Sequence, residues 1–209
     1  MPDRADVLII GAGIAGSSLA YELAADASVL LLERESQPGY HSTGRSAAML
    51  TETYGTATVR TLAGASRAFF ANPPPGFSTT PLLSPRSMLH IARTDQRAAL
   101  EDAYRSAAAL VPSVRLLDRA SVGAAAPLLD PDYAAGGLHE PEAMAIDVAA
   151  LHQGYLRGLR QRGGELRTGT EITAITRQPA GWQVDAPEAC FTADVLVDAA
   201  GAWADEVAA

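Results

Sequence analysis

Apolar positions form short continuous runs near both ends of the chain and helical stripes between them. Val7-Leu8-Ile9-Ile10 is a β-prone run of the kind found in strands covered on both faces. From Ile14 to about Ala25 the spacing predicts a helix, with Gly16, Leu19, Ala20 and Leu23 on one face. Ser28–Leu32 predicts a second buried strand that runs into Glu33, so residues 5–33 read as a β-α-β unit. Residues 34–50 are polar and glycine-containing, and the pattern predicts a loop passing into a helix near Gly44. A helix over about 56–71 ends at Asn72-Pro73-Pro74-Pro75-Gly76, which neither a helix nor a central strand tolerates.

The second half continues with a strand at Leu89–Ala92 and an alanine-rich helix over Asp95–Leu110. Pro127, Pro131, Gly136 and Gly137 then read as punctuation. Asp147 is a plausible N-cap for a helix over 148–161, with Val148, Leu151, His152, Tyr155 and Leu159 on one stripe. Gly163-Gly164 ends it, and short strands are expected at Leu166–Thr168, Ile172–Thr176, Trp182–Asp185 and Val195–Val197. No internal repeat is visible.

At 209 residues the chain can bury one sizeable core with a second layer attached. Its net charge of −8 argues against a broad nucleic-acid surface, which needs clustered positive charge. Cys190 is the only cysteine, so neither an internal disulfide nor a CxxC metal site can form, and a reducing compartment is expected. Asp3 and Asp6 around Arg4, with a short apolar run behind them, do not resemble a signal peptide, and no stretch approaches a membrane span. A cytoplasmic protein follows as the expectation.

The sharpest chemical feature is Gly11-Ala12-Gly13-Ile14-Ala15-Gly16, a GxGxxG turn between a buried strand and a helix. Glu33 stands roughly 20 residues beyond it, at the end of the second strand. Gly11 permits the tight turn, Gly13 allows a pyrophosphate to approach the backbone, and Gly16 lets the helix pack closely on the sheet. The helix start offers free N–H groups and the positive end of its dipole. The carboxylate of Glu33 can accept from ribose hydroxyls and would repel a 2′-phosphate, which disfavours NADP. Spacing alone does not separate FAD from NAD.

Three further segments carry a family resemblance. Gly39-Tyr40-His41-Ser42-Thr43-Gly44-Arg45-Ser46-Ala47-Ala48 resembles the loop that holds the riboflavin side of the cofactor in the D-amino-acid oxidase family of flavoproteins. Asp147–Gly158 is similar to that family's return helix, and Val197–Trp203 to its second glycine-containing flavin loop. Within the family the sequence most resembles bacterial D-arginine-type D-amino-acid dehydrogenases, through Arg67–Phe70, the proline stretch after it and Pro81–Arg86.

The resemblance implies an α/β fold. A Rossmann-like FAD-binding domain with a parallel sheet would comprise residues 1–50 and 147–209, and 51–146 would be part of an inserted α+β substrate domain. It also implies FAD as cofactor. Ala15 would lie near the pyrophosphate, and Glu33 and Arg34 at the adenosine end. Ser42, Thr43, Gly44, Arg45, Ser46, Ala47 and Ala48, with the backbone of Met49, would line the ribityl and ring side. The backbone of Ile172 would meet the adenine, and Gly201 would allow close approach of its loop. Tyr54 matches a tyrosine of the substrate-facing loop. The implied reaction is oxidative deamination of a D-amino acid by hydride transfer to the flavin N5, with an unknown electron acceptor.

Met49 stands where the resemblance expects a histidine, and Met88 near an expected carboxylate. A thioether neither takes a proton at neutral pH nor pairs with a guanidinium, so a less cationic, more apolar substrate is expected. His41, His90, His139 and His152 are candidate bases by type only, and Glu140 and Glu142 read as solvated loop residues. Family members are substantially longer, and their C-terminal remainder is absent here. A catalytically incompetent FAD- or nucleotide-binding fragment, and an NAD-dependent Rossmann enzyme, are the alternatives.

Overall fold

The computed structural model describes residues 3–209. In chain order its elements are β1 (Asp3–Ile10), α1 (Ile14–Leu23), β2 (Val29–Leu32), β3 (Met49–Leu50), α2 (Ala57–Ala71), β4 (Leu83–Pro85), β5 (Met88–Ala92), α3 (Arg97–Ala108), β6 (Arg115–Asp118), α4 (Arg119–Ala125), β7 (Gly136–Glu140), β8 (Met144–Ile146), α5 (Val148–Gln161), β9 (Glu165–Arg167), β10 (Ala174–Gln178), β11 (Gly181–Ala186), β12 (Ala189–Asp198) and α6 (Ala204–Val207). They divide into two compact units. The first holds residues up to 46 together with 74–80 and 148–209, and the second holds 47–73 and 81–147.

The first unit is a six-stranded sheet in the order β10-β11-β12-β1-β2-β9. β12, β1, β2 and β9 run parallel, while β10, β11 and β12 form an antiparallel meander. Successive side chains of a strand point to opposite faces, so a run apolar at every position requires both faces to be covered. That is what happens here. Val7, Ile9 and Leu31 pack with Ala20 of α1 and with Leu156 and Leu159 of α5. Leu8, Ile10, Leu30 and Leu32 pack with Val184 and Phe191. Leu8, Ile9 and Leu31 are wholly excluded from solvent, and each such side chain contributes about 1.5–3 kcal/mol.

α5 reaches the rest of this unit through two glycines that the apolar stripe did not reveal. A Cβ at Gly154 would lie 2.3 Å from the Phe77 ring, and one at Gly158 2.3 Å from the Tyr21 ring. Phe77, Tyr21 and Tyr155 pack edge-on or tilted, with ring centroids 5.1–5.7 Å apart. Burial pushes the Tyr155 phenol up to about 12.

The second unit holds two antiparallel three-stranded sheets, β3-β8-β4 and β5-β7-β6. Its core gathers Ala92, Leu100, Ala107, Val111, Val114 and Leu138. Three sequence expectations change. Near Gly44 there is no helix: residues 38–45 form turns, and Met49 opens a short strand. A Cβ at Gly44 would lie 2.6 Å from the Gly39 carbonyl oxygen, and the Gly44 N–H donates to that oxygen at 2.7 Å. The segment therefore closes on itself instead of winding onward. Gly136 and Gly137 are strand residues and not punctuation. Cβ atoms there would stand 2.9 Å from the carbonyl oxygens of Leu117 and His90 on the flanking strands, so glycine lets three strands pack tightly. Glu140 is not solvated. It is 2% exposed, accepts from the Glu52 N–H at 3.3 Å and the Thr53 hydroxyl, and sits cross-strand from Met88. A carboxylate so placed is tolerated because its oxygens have donors.

Candidate functional site

The parallel strands of the first unit end at one edge, where the turns after β1, β2 and β12 surround a cavity of about 460 Å³. Open parallel sheets place ligands at this end of their strands. Each glycine of the first turn has its own geometric reason. Gly11 has φ +100°, and a Cβ on it would lie 2.5 Å from the Ala199 carbonyl oxygen. A Cβ on Gly16 would lie 1.9 Å from the Gly11 carbonyl oxygen, so α1 packs on the turn at a distance that only glycine allows. A Cβ on Gly13 would meet only the Thr43 hydroxyl, at 3.3 Å, and Gly13 faces the cavity.

Gly13 cannot cap α1 with a side chain. Thr43 supplies the missing acceptor, taking the Ile14 N–H on its Oγ1 at 2.9 Å. The N–H groups of Ala15 and Gly16 have no protein partner among the described residues. They are the orphan donors of a helix start and favour an anion. Thr43→Val keeps the shape and removes the acceptor. It is expected to lower stability by about 1 kcal/mol, read from the denaturant midpoint; an unchanged midpoint would show that the bond contributes nothing.

Glu33 follows β2 directly. Its Oε2 accepts from the Ala12 N–H at 2.9 Å and its Oε1 from the Glu35 N–H at 3.0 Å. These two bonds fix the carboxylate against the turn and leave lone pairs on both oxygens. The neighbouring strand end is tied to the same segment, since Thr170 N–H donates to the Glu33 carbonyl at 2.9 Å and Gly169 N–H to that of Glu35 at 3.0 Å. This tether brings Ile172 to the cavity wall just before β10 begins.

A second cluster borders the cavity. The His41 Nε2 lies 2.8 Å from Glu35 Oε1, the Arg34 guanidinium is 4.8 Å from the centre of the Trp203 ring, and the His41 ring is 4.5 Å from it. The hydrogen bond with His41 holds the Glu35 carboxyl below its ordinary 4.5, with the charges of His41 and Arg34 acting in the same direction. A lowered carboxyl value means the stabilisation is fully present above 4.5 and is lost as pH falls through the folded-state value. Carboxyl NMR should therefore place the Glu35 midpoint below 4.5, and His41→Asn should return it toward that value. A midpoint of 4.5 in both proteins would remove His41 as the cause.

Of the residues the sequence singled out, Gly11, Gly13, Glu33, Arg34, Ser42, Thr43, Ile172 and Gly201 line this one cavity. Ala15, Gly16, Gly44, Arg45 and Ser46 belong to the same unit without lining it. Ala47, Ala48, Met49 and Tyr54 belong to the second unit. Tyr54 is 68% exposed there, on the loop whose Glu52 and Thr53 are held by Glu140. Trp203, His41 and Thr170 also line the cavity. Gly39-Tyr40-His41 precedes the contacts assigned from sequence, and Trp203 closes the Val197–Trp203 motif, so both were signalled by the motifs that contain them. Among the described residues no helix is long and apolar enough to cross a membrane.

The profile of the family described as "FAD dependent oxidoreductase" (DAO) matches residues 6–209. Mitochondrial dimethylglycine dehydrogenases from mouse and human are 27% and 28% identical over 98% of this chain, which spans 24% of their length. Glycine oxidase from Geobacillus kaustophilus superposes with a TM-score of 0.84 at 24% identity, over 97% of this chain and 56% of that one. L-α-glycerophosphate oxidase from Mycoplasma pneumoniae, solved with FAD bound, gives 0.84 at 21% identity, over 99% and 56%. The chain thus spans about a quarter of the curated relatives and just over half of the solved chains.

Proposed function

Because this chain belongs to the DAO family of FAD-dependent oxidoreductases, we propose that its cavity holds the adenosine diphosphate half of FAD for oxidation of a small amino acid. The observation that carries the reading is the turn itself: a glycine cradle open at Gly13, a helix start whose Ala15 and Gly16 amides have no partner among the described residues, and a carboxylate anchored beside both. Gly13 and the amides of Ala15 and Gly16 would receive the diphosphate, and Glu33 the ribose hydroxyls. Arg34 and the backbone of Ile172 would border the adenine. The turn at Ser42–Ser46 would lead toward the flavin side, with Ala47, Ala48 and Met49 beyond it, and Gly201 would keep its loop close. When bound, FAD supplies the hydride-accepting chemistry.

For substrate, the reading is a D-amino acid with an uncharged side chain. Met49 and Met88 can neither accept a proton nor pair with a cation. Glu140, cross-strand from Met88, already has the Glu52 and Thr53 donors as partners. A second substrate class, N-methylated glycine, is favoured by the match of 98% of this chain to about a quarter of the length of the dimethylglycine dehydrogenases. No side chain of the cavity is assigned as a base. A reducing, cytoplasmic setting is part of the reading and rests on the lone Cys190.

The test is dye-coupled turnover by a polypeptide of the relatives' length containing these residues. The panel would include D-alanine, D-arginine, N,N-dimethylglycine and glycerol 3-phosphate. Turnover of D-alanine above D-arginine supports the reading. Preference for D-arginine or for glycerol 3-phosphate overturns it.

A further inference from the structure

His152 lies on α5 at 4% exposure, an unusual place for an imidazole among the apolar residues of that helix. Its Nε2 is 2.8 Å from the carbonyl oxygen of Ala12, in the middle of the glycine turn. A carbonyl oxygen only accepts, so Nε2 carries the proton and donates. Gly39 stands close against the Nδ1–Cε1–Nε2 end of the ring, where a Cβ would lie 2.8 Å from Cε1 and 3.1 Å from Nδ1, so only glycine leaves the imidazole this place. The N–H of the same residue, Ala12, is bound by Glu33 Oε2 at 2.9 Å. Ala12 is therefore gripped through both its backbone groups, by α5 on one side and by the residue after β2 on the other.

The consequence concerns the next amide. A trans peptide is planar, with its C=O and N–H antiparallel. The peptide whose carbonyl points at His152 must point its N–H the opposite way, and that N–H belongs to Gly13, which faces the cavity. The Gly13 N–H has no protein partner among the described residues. We propose that His152 is a positioning residue of the diphosphate subsite: by holding the Ala12 carbonyl it aims the Gly13 N–H at the phosphates. This rests on the reading that the cavity takes FAD.

The role predicts an effect on phosphate recognition separate from adenosine recognition. ADP and adenosine affinities are measured on the 209-residue chain for the wild type, His152→Leu and His152→Gln. Loss of one aimed, charge-assisted hydrogen bond should weaken ADP about tenfold in His152→Leu and leave adenosine within about twofold. His152→Gln, whose amide can donate to the same carbonyl, should return ADP to within about threefold of wild type. Equal ADP affinity in the leucine variant, or an equal loss for both ligands, overturns the proposal. In the wild type itself the Gly13 amide proton should move downfield when ADP is added. An unmoved Gly13 signal in a chain that binds ADP overturns the proposal even where a variant does not fold. A wild-type chain that binds neither FAD nor ADP overturns the FAD reading instead.

Discussion

Glu33→Ala should weaken FAD binding about 100-fold. Two losses combine. In the proposed function the carboxylate accepts from the ribose, and a hydrogen bond to a charged group contributes roughly 1.5–3 kcal/mol. The same side chain holds the Ala12 N–H and the Glu35 N–H, so its removal also frees the turn against which the diphosphate would rest. Glu33→Gln keeps one acceptor oxygen and should lose only about tenfold, since a neutral acceptor is roughly half as strong. Calorimetric titration with FAD separates the two. An alanine variant within about threefold of wild type would mean that the residue serves the fold alone.

Gly16→Ala should cost about 3 kcal/mol of stability and remove FAD binding. A single added methyl group would sit 1.9 Å from the Gly11 carbonyl oxygen, which is backbone and cannot turn aside. Either α1 moves away from the sheet, exposing the apolar contacts of Ala20 and its neighbours, or the turn flattens. Both displace the Gly13 amide. Elsewhere in a helix the same substitution would be stabilising, because alanine is the better helix former. A thermal midpoint equal to or above that of the wild type would therefore contradict the packing argument directly.

These predictions concentrate on the part of the molecule that was legible in the sequence. The run Val7–Ile10, the glycine turn and Glu33 announce a strand, a helix start and a carboxylate at the end of the second strand, and Ile10, Gly11, Gly13 and Glu33 line one cavity. They were readable because each depends on neighbours close in sequence. Contacts distant in sequence were not. Nothing in the local pattern around His152 points to Ala12, 140 residues earlier. Glu140 beside a proline looked solvated, because its partners Glu52 and Thr53 come from a segment nearly 90 residues away. Gly136-Gly137 reads as a break by local propensity, and only the nearness of two flanking backbones explains glycine inside a strand. The turns at 38–45 failed as a helix for a related reason, since the close approach of Gly44 to Gly39 is a three-dimensional fact. Division of the chain into two units follows the same line. The short segment 74–80, between two stretches of the second unit, belongs to the first through Phe77, whose aromatic partners stand on α1 and α5.

The central claim is that these residues hold FAD, and an equilibrium titration of FAD with the 209-residue chain tests it most directly, followed by quenching of flavin fluorescence with excess NAD as competitor. Saturable one-to-one quenching that NAD does not relieve is the predicted result. No quenching, or quenching that NAD abolishes, would contradict the account.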